Sequence, residues 1–177
     1  MDNKKTTIIL FRGRQGVGKS VVSSAFSKQE NLLVLRKDDI YDASSTYVAD
    51  LTVRSKIGYD SLFKILESNI DSGTSLLLDY PFQINEDVRH LRKWCEDRGL
   101  LLYTVLVTCS DRTIWRNRLS ERAKNPTPNQ IITDLDELER NYGGLDIMPL
   151  ENEIVVDTVD SIEIILEKIQ NQIYYSN

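Results

Sequence analysis

A chain of 177 residues, of which 41% are hydrophobic and 28% charged, suits one domain with a sizeable core, and two full domains would be cramped in it. The net charge of -5 argues against a general nucleic-acid-binding protein, although a local basic patch is compatible with it. No segment approaches the length of a membrane span, and the start of the chain, MDNKKTT, contains no apolar targeting segment, so we expect a cytoplasmic protein.

The first predicted strand leads into a glycine-rich loop. The strand covers residues 7–11 (TIILF), and the segment after the loop can continue as a helix with Val22 and Phe26 on one face. Between them, residues 13–20 read GRQGVGKS and match the phosphate-binding pattern GxxxxGK[ST]. The strand, turn and helix around the loop are the context that this pattern requires.

The residue types of the loop suit a nucleotide phosphate. Glycines let the backbone N–H groups point inward at an anion, and the start of the helix adds further N–H donors and a partial positive charge. Lys19 would contact the terminal phosphates, and the Ser20 hydroxyl would ligate Mg²⁺. The alternative, a glycine-rich turn that binds nothing, needs neither of these two side chains. The residues expected to bind the nucleotide are Gly13, Arg14, Gln15, Gly16, Val17, Gly18, Lys19, Ser20 and Val21.

The rest of the chain alternates between predicted strands and predicted helices. This alternation predicts an α/β protein with a five-stranded parallel sheet and helices on both faces. Together with the phosphate-binding loop, it indicates a three-layer P-loop NTPase fold, for which we also expect a small helical lid. We expect one domain over residues 1–177, with its active edge at the carboxyl ends of the strands. The further strands are predicted over 32–36, 75–79, 101–107 and 153–156, and the helices over 61–72, 86–98, 111–123, 131–141 and 160–174.

Acidic residues follow two of the predicted strands. Asp38 and Asp39 come after the second strand, where one carboxylate could accept a proton from an attacking hydroxyl; the alternative is a helix N-cap, and the two are compatible. Asp79 ends the third strand as a Walker B acid does and could hold Mg²⁺ or organise the acceptor. The alternative is an aspartate that merely ends a strand before Pro81. Tyr80 after it could line an acceptor pocket.

The predicted helix after the fourth strand is strongly basic. Its apolar stripe separates two arginine pairs four residues apart, Arg118 with Arg122 and Arg112 with Arg116. One pair could therefore face phosphates, because a guanidinium fork stabilises charge on phosphoryl oxygens. The alternative is a solvated charged helix.

The segment KNPTPN, residues 124–129, separates this helix from the next with prolines and short polar residues. It suits the hinge of a movable lid around residues 111–130, or a rigid surface turn. Cysteine and histidine add no further site: Cys95 and Cys109 lack metal spacing and are expected to be reduced thiols, and His90 lies in a polar stretch as a surface residue.

In their order along the chain, these motifs resemble those of the small P-loop kinases of the AAA-domain or zeta-toxin-like group, which includes polynucleotide 5'-kinase and chloramphenicol phosphotransferase. The resemblance implies ATP and Mg²⁺ as cofactors bound by Lys19 and Ser20, Asp38 as the general base, and Arg118 or Arg122 as a lid arginine. It rests on the segments GRQGVGKS, KDDIY, VRSKIGYDSLFKILE, LLLDYPF and WRNRLSER.

One position departs from the pattern of this group on the acceptor side. Members often carry an arginine three residues after the base, where it grips the acceptor, and here the position is Tyr41. Arg54 in the following segment could supply the missing charge. The residues expected at the acceptor are Asp38, Asp39, Tyr41, Arg54 and Tyr80.

The leading interpretation is an ATP-dependent kinase that transfers the γ-phosphoryl group to a hydroxyl of a small molecule. A kinase acting on nucleic-acid 5' ends would need a basic track, and the sequence offers only the cluster in residues 112–124. A switch GTPase would show DxxG after the third strand and an NKxD, and neither occurs. A nucleotide-binding ATPase or switch module without kinase activity remains as a further alternative.

Overall fold

A five-stranded, wholly parallel β-sheet organises residues 6–175, the part of the chain that the computed structural model describes. The order of the strands across the sheet is β2-β3-β1-β4-β5. This arrangement confirms the predicted α/β fold class. Residues 1–5, on which part of the targeting expectation rests, lie outside the described residues. The strands are β1 (Thr7–Arg12), β2 (Leu33–Arg36), β3 (Leu76–Asp79), β4 (Leu101–Thr108) and β5 (Ile154–Asp157).

Helices connect the strands and cover both faces of the sheet. They are α1 (Lys19–Glu30), α2 (Lys37–Ser44), α3 (Leu51–Ser68), α4 (Asn85–Glu96), α5 (Arg112–Lys124), α6 (Leu135–Tyr142) and α7 (Ile162–Gln170). A 3₁₀ turn, Ile70–Ser72, follows α3, and a π-helical turn, Asn171–Tyr175, continues α7. Within residues 6–175, none of the helices is long and apolar enough to cross a membrane.

The sheet separates two hydrophobic clusters because successive side chains of a strand point to opposite faces. Along β1, Ile9 and Phe11 pack into the cluster that contains Phe26 of α1, whereas Ile8 and Leu10 pack into the cluster on the other face. All five side chains are at least 99% buried. The strand that leads into the phosphate-binding pattern is therefore fixed from both sides.

Helix α3 begins earlier than the sequence predicts, and the segment of α2 was not predicted as a helix. Helix α3 begins at Leu51 rather than Ser61, because the Asp50 side chain accepts hydrogen bonds from the backbone N–H groups of the first turn. Helix α2 begins at Lys37, so Asp38 and Asp39 lie in its first turn and do not cap it. Their carboxylates face the positive end of the helix dipole there. The N-cap alternative for this pair was wrong.

Candidate active site

The phosphate-binding pattern forms a loop between β1 and α1, at the carboxyl edge of the sheet. Gly13 has φ +146°, and a Cβ there would overlap the carbonyl oxygen of Val107 on the neighbouring strand. Its N–H donates to the carbonyl of Pro81 at 3.1 Å. Only glycine suits this position, because a side chain would meet both an unfavourable backbone conformation and fixed backbone atoms.

Helix α5 packs directly on this loop. The indole Nε1 of Trp115 donates to the carbonyl of Gln15 at 2.7 Å. A Cβ at Gly16, which has φ +80°, would lie 2.8 Å from the Leu119 side chain and 2.9 Å from Trp115 Nε1. The conformation of the loop therefore depends on the apolar stripe of α5 as well as on its own glycines.

The pairing of β1 with β3 places Asp79 beside the loop, since Phe11 and Asp79 are partners in the register. The Asp79 carboxylate pairs with the Lys19 ammonium and accepts a hydrogen bond from the Ser23 hydroxyl at 2.8 Å. Burial raises the pKa of Asp79, but the charge of Lys19 and hydrogen bonds from Lys19, Ser23 and Ser20 outweigh burial and hold the pKa below its ordinary value. Asp79 is therefore ionised at neutral pH.

Ser20 and Asp79 supply oxygen atoms that could hold a Mg²⁺ ion. Mg²⁺ at nucleotide sites is bound by one or two protein oxygens together with phosphates and water, and a hydroxyl beside a buried, ionised carboxylate fits that role. Residues 6–175 contain no group of three or more His, Cys, Asp or Glu side chains placed to hold a metal by themselves. Cys95 and Cys109 are both free and buried, and the His90 side chain is 73% exposed.

An open cavity of about 660 Å³ runs from the loop to α2 and α3. Its lining includes Lys19 and Ser20 of the loop, Asp38 and Tyr41 of α2, and Arg122 of α5. Asp38 is exposed to this open cavity, and the partial desolvation of its carboxyl group raises its pKa; the charge of Lys19 opposes this effect and that of Asp79 adds to it. The cavity therefore contains both a phosphate-binding loop and a carboxyl group with increased affinity for protons.

A second cavity, of about 560 Å³, lies on the other side of the loop. Gly16, Gly18, Val21 and Arg118 line it beside apolar residues such as Ile162. Arg122 lines this cavity as well as the first one. Arg122 therefore lies where the two cavities meet.

The two arginines predicted for the lid have different surroundings. Arg118 donates to the carbonyl of Val17 at 3.0 Å and to the hydroxyl and carbonyl oxygens of Thr158 at 2.7 and 3.1 Å, so its guanidinium is already bound to the protein. The Arg122 side chain has no hydrogen bond or ion pair with any described residue. Burial lowers the pKa of Arg122, against the charges of Asp38 and Asp79. Arg122 is therefore the guanidinium that is free to meet a phosphate.

The other basic side chains of α5 are paired with acids. Arg112 contacts Asp146 at 3.2 Å and Arg116 contacts Asp136 at 3.0 Å. Lys124 contacts Glu121 at 2.6 Å. These ion pairs reduce the positive field that a nucleic acid strand would need.

The structure does not place all predicted acceptor residues around the cavity. Tyr80 is fully buried and its hydroxyl donates to the carbonyl of Gly58 at 3.2 Å, so it lies in the core instead of a pocket wall. Arg54 donates to the carbonyls of Val48 and Ser45 and does not line the cavity. Asp39 is exposed outside it.

Of the predicted acceptor residues, Asp38 and Tyr41 are the ones that line this cavity. Among the loop residues, Arg14 lines the same cavity, where its side chain donates to Gln83 Oε1 at 2.8 Å and lies over the ring of Tyr142. Sequence reasoning also missed Lys37, which lines the same cavity. The sequence could have indicated Lys37, because it directly precedes Asp38 and Asp39.

The proline-containing segment after α5 lies against α2. The Asn129 amide donates to Asp42 Oδ2 at 2.8 Å, and Gln130 and Ile131 line the large cavity. This segment thus forms part of the rim of the cavity, where a lid would act. Whether it moves stays a prediction.

Comparisons with known proteins agree with this architecture. A family model described as an AAA domain matches residues 8–140. No curated protein matches the chain. A kinase candidate from Chloroflexus aurantiacus J-10-fl is 17% identical to the chain, with 96% of this chain and 99% of that chain covered and a TM-score of 0.73. A sugar kinase from Janibacter sp. HTCC2649 is 14% identical, with 97% of this chain and 96% of that chain covered and a TM-score of 0.67. The APS kinase of Mycobacterium tuberculosis in complex with AMPPNP and APS is 15% identical, with 95% of this chain and 97% of that chain covered and a TM-score of 0.64. At these identities the likeness shows the fold, which is that of small P-loop kinases.

Proposed function

The chain belongs to this AAA domain family, and we propose that it is a Mg²⁺- and ATP-dependent kinase that transfers the γ-phosphoryl group to a hydroxyl of a small molecule. The observation that carries the proposal is one cavity lined by Lys19 of the phosphate loop, by Asp38 and by Arg122. A nucleotide clamp alone would not need a carboxyl group in the same cavity as the lysine, and the pKa of this carboxyl is raised. The kinase structures with the same fold, one of them an APS kinase in complex with AMPPNP and APS, support the reaction class.

The loop and Lys19 bind the donor in this proposal. The loop amides surround the phosphates, and Lys19 leaves Asp79 to contact the β- and γ-phosphates. Ser20 and Asp79 would hold Mg²⁺, which neutralises charge on the phosphates when bound. The second cavity, beside Val21 and Arg118, accommodates the nucleoside.

Asp38 and Arg122 act on the transferring group. The acceptor oxygen attacks the γ-phosphorus, the bond from this phosphorus to the β,γ-bridging oxygen breaks, and Asp38 accepts the hydroxyl proton, so that ADP and a phosphate monoester result. Arg122 stabilises the charge on the oxygens of the transferring phosphoryl group. Movement of the segment around 111–130 would exclude water, within one kinase domain of residues 1–177.

Two other functions are less well supported. A kinase acting on nucleic-acid ends needs a basic track, but Arg112, Arg116 and Lys124 are each paired with a carboxylate. A nucleotide-binding module without catalysis would not need Asp38 and Arg122 in one cavity with Lys19.

Transfer of labelled γ-phosphate from Mg·ATP tests the proposal, with nucleosides, sugars, sugar acids, aminoglycoside- and chloramphenicol-like alcohols and oligonucleotide ends as acceptors. Wild type should label a small molecule, and Lys19→Ala should lower the rate by roughly 100-fold or more. Lys28→Ala, at an exposed position of the same helix, is the matched control and should have wild-type activity. Label on oligonucleotide ends alone would favour the nucleic-acid kinase. ATP binding that depends on Lys19 without transfer to any acceptor would favour the non-catalytic module.

A further inference from the structure

Lys37 occupies an unusual position beside the proposed base. It is the first residue of α2, directly before Asp38, and it lines the cavity that contains the phosphate loop. A cation in the first turn of a helix opposes the helix dipole, so the local stability of α2 does not explain a lysine here.

The surrounding residues hold the Lys37 side chain in place. Its ammonium lies 5.0 Å from the ring centre of Tyr59 and 5.7 Å from that of Tyr41. Its stem packs on α3 at Gly58, where a Cβ would approach Lys37 Cγ to 3.1 Å. Glycine inside a helix is less stable than alanine, so the helix propensity of residue 58 does not explain Gly58. The absence of a side chain there leaves space for Lys37.

Lys37 is also the cation that remains available on the acceptor side of the cavity. Its ammonium has no hydrogen bond or ion pair with any residue of the described range 6–175. Arg14 and Arg54 are bound to oxygens of the protein, and in the proposed mechanism Lys19 and Arg122 bind the donor phosphates.

A second unpartnered donor belongs to Tyr41, whose ring centre lies 5.7 Å from this ammonium. Tyr41 is 5% exposed, lines the same cavity, and its hydroxyl is buried without a hydrogen-bond partner. A buried hydroxyl without a partner is costly, and a ligand oxygen would remove that cost. Burial also lowers the pKa of Lys37, an effect that Asp38 opposes and Lys19 reinforces. A nearby anion would favour the charged form of this lysine.

We propose that Lys37, assisted by the Tyr41 hydroxyl, binds an oxyanion of the acceptor, so that the acceptor is a small alcohol that carries a carboxylate or a phosphate. This inference rests on the proposed kinase function and adds the chemical class of the acceptor. Lys37 would hold the anionic group while Asp38 deprotonates the hydroxyl.

The first test needs no phosphoryl transfer. Inorganic sulfate is titrated by calorimetry into protein saturated with Mg·AMP-PNP, which occupies the donor phosphate site. Lys37→Met keeps an unbranched stem against Gly58, and it should bind sulfate about tenfold or more weakly than wild type. Lys37→Arg should retain binding, and Lys56→Met, at an exposed position of α3, is the matched control. Equal affinity in Lys37→Met and wild type, or no sulfate binding by either, would overturn the inference.

The second test separates carboxylate from phosphate with acceptors that share a carbon skeleton, such as glycerol, glycerate and glycerol 2-phosphate. For the anionic acceptor that is used, Lys37→Met should raise KM about tenfold or more at nearly constant kcat, and KM for the neutral member should not change. Equal effects on neutral and anionic members would contradict the inference. If no acceptor is phosphorylated, the proposed function loses its support, and the sulfate titration alone decides the role of Lys37.

Discussion

The buried ion pair between Arg12 and Glu153 allows a prediction about stability whose magnitude follows from the geometry. Neither side chain is exposed, and the carboxylate accepts two hydrogen bonds of 2.6 Å from the guanidinium, which also donates to the carbonyl of Phe82 at 3.1 Å. Glu153→Ala leaves the Arg12 charge buried without a counter-ion. We expect the free energy of unfolding to fall by about 3–5 kcal/mol, a large share of the roughly 5–15 kcal/mol of a typical domain.

Urea unfolding followed by circular dichroism measures this loss. The double variant Arg12→Met/Glu153→Leu removes both charges and should recover most of the stability, because no unpaired charge then remains in the core. Arg89→Ala, which breaks an exposed ion pair with Glu86, is the control and should leave the free energy of unfolding almost unchanged. A loss below about 1 kcal/mol in Glu153→Ala, or a double variant no more stable than the single one, would refute the reasoning.

Three further predictions concern the candidate active site. Gly16→Ala adds a methyl group at a positive φ against two side chains of α5, so ATP affinity measured by calorimetry should fall about tenfold or more; unchanged affinity would count against the loop geometry. Arg122→Ala should lower kcat by roughly 100-fold and leave the melting temperature almost unchanged. Arg118→Ala should instead lower the melting temperature, because it removes hydrogen bonds to Val17 of the loop and to Thr158. The reverse pattern would exchange the roles of the two arginines. Transfer should decline as the pH falls through the raised pKa of Asp38, because only the ionised base accepts a proton; a pH profile with its acidic limb at or below that of an ordinary aspartate would contradict this assignment.

The fold could be predicted because its determinants are local in the sequence. Each of the five strands is a short apolar run, and the observed strand limits differ from the predicted ones by one residue at most at each end. The phosphate loop could be recognised for the same reason, since its glycines, Lys19 and Ser20 lie within eight consecutive residues. The sequence also indicated that Asp38 follows one strand and that Asp79 ends another, both at the carboxyl edge of the predicted sheet.

The surroundings of individual side chains could not be predicted because they depend on distant residues. Glu153 is 141 positions away from Arg12, and no pattern in the sequence connects them. Arg118 and Arg122 are one helical turn apart on α5 and look equivalent until Thr158 is seen to bind the first of them. Tyr80 follows Asp79 directly, yet its ring packs in the core below the sheet edge.

The proposed mechanism depends most on Asp38 as the base in a cavity shared with the phosphate loop. The rate of a single turnover with the acceptor identified from the panel, compared between wild type and Asp38→Asn, tests this point directly. We predict a decrease of roughly 100-fold or more in the transfer rate, together with an ATP affinity close to that of wild type. A transfer rate in Asp38→Asn within about threefold of wild type would contradict the assignment, because a general base contributes at least about 100-fold.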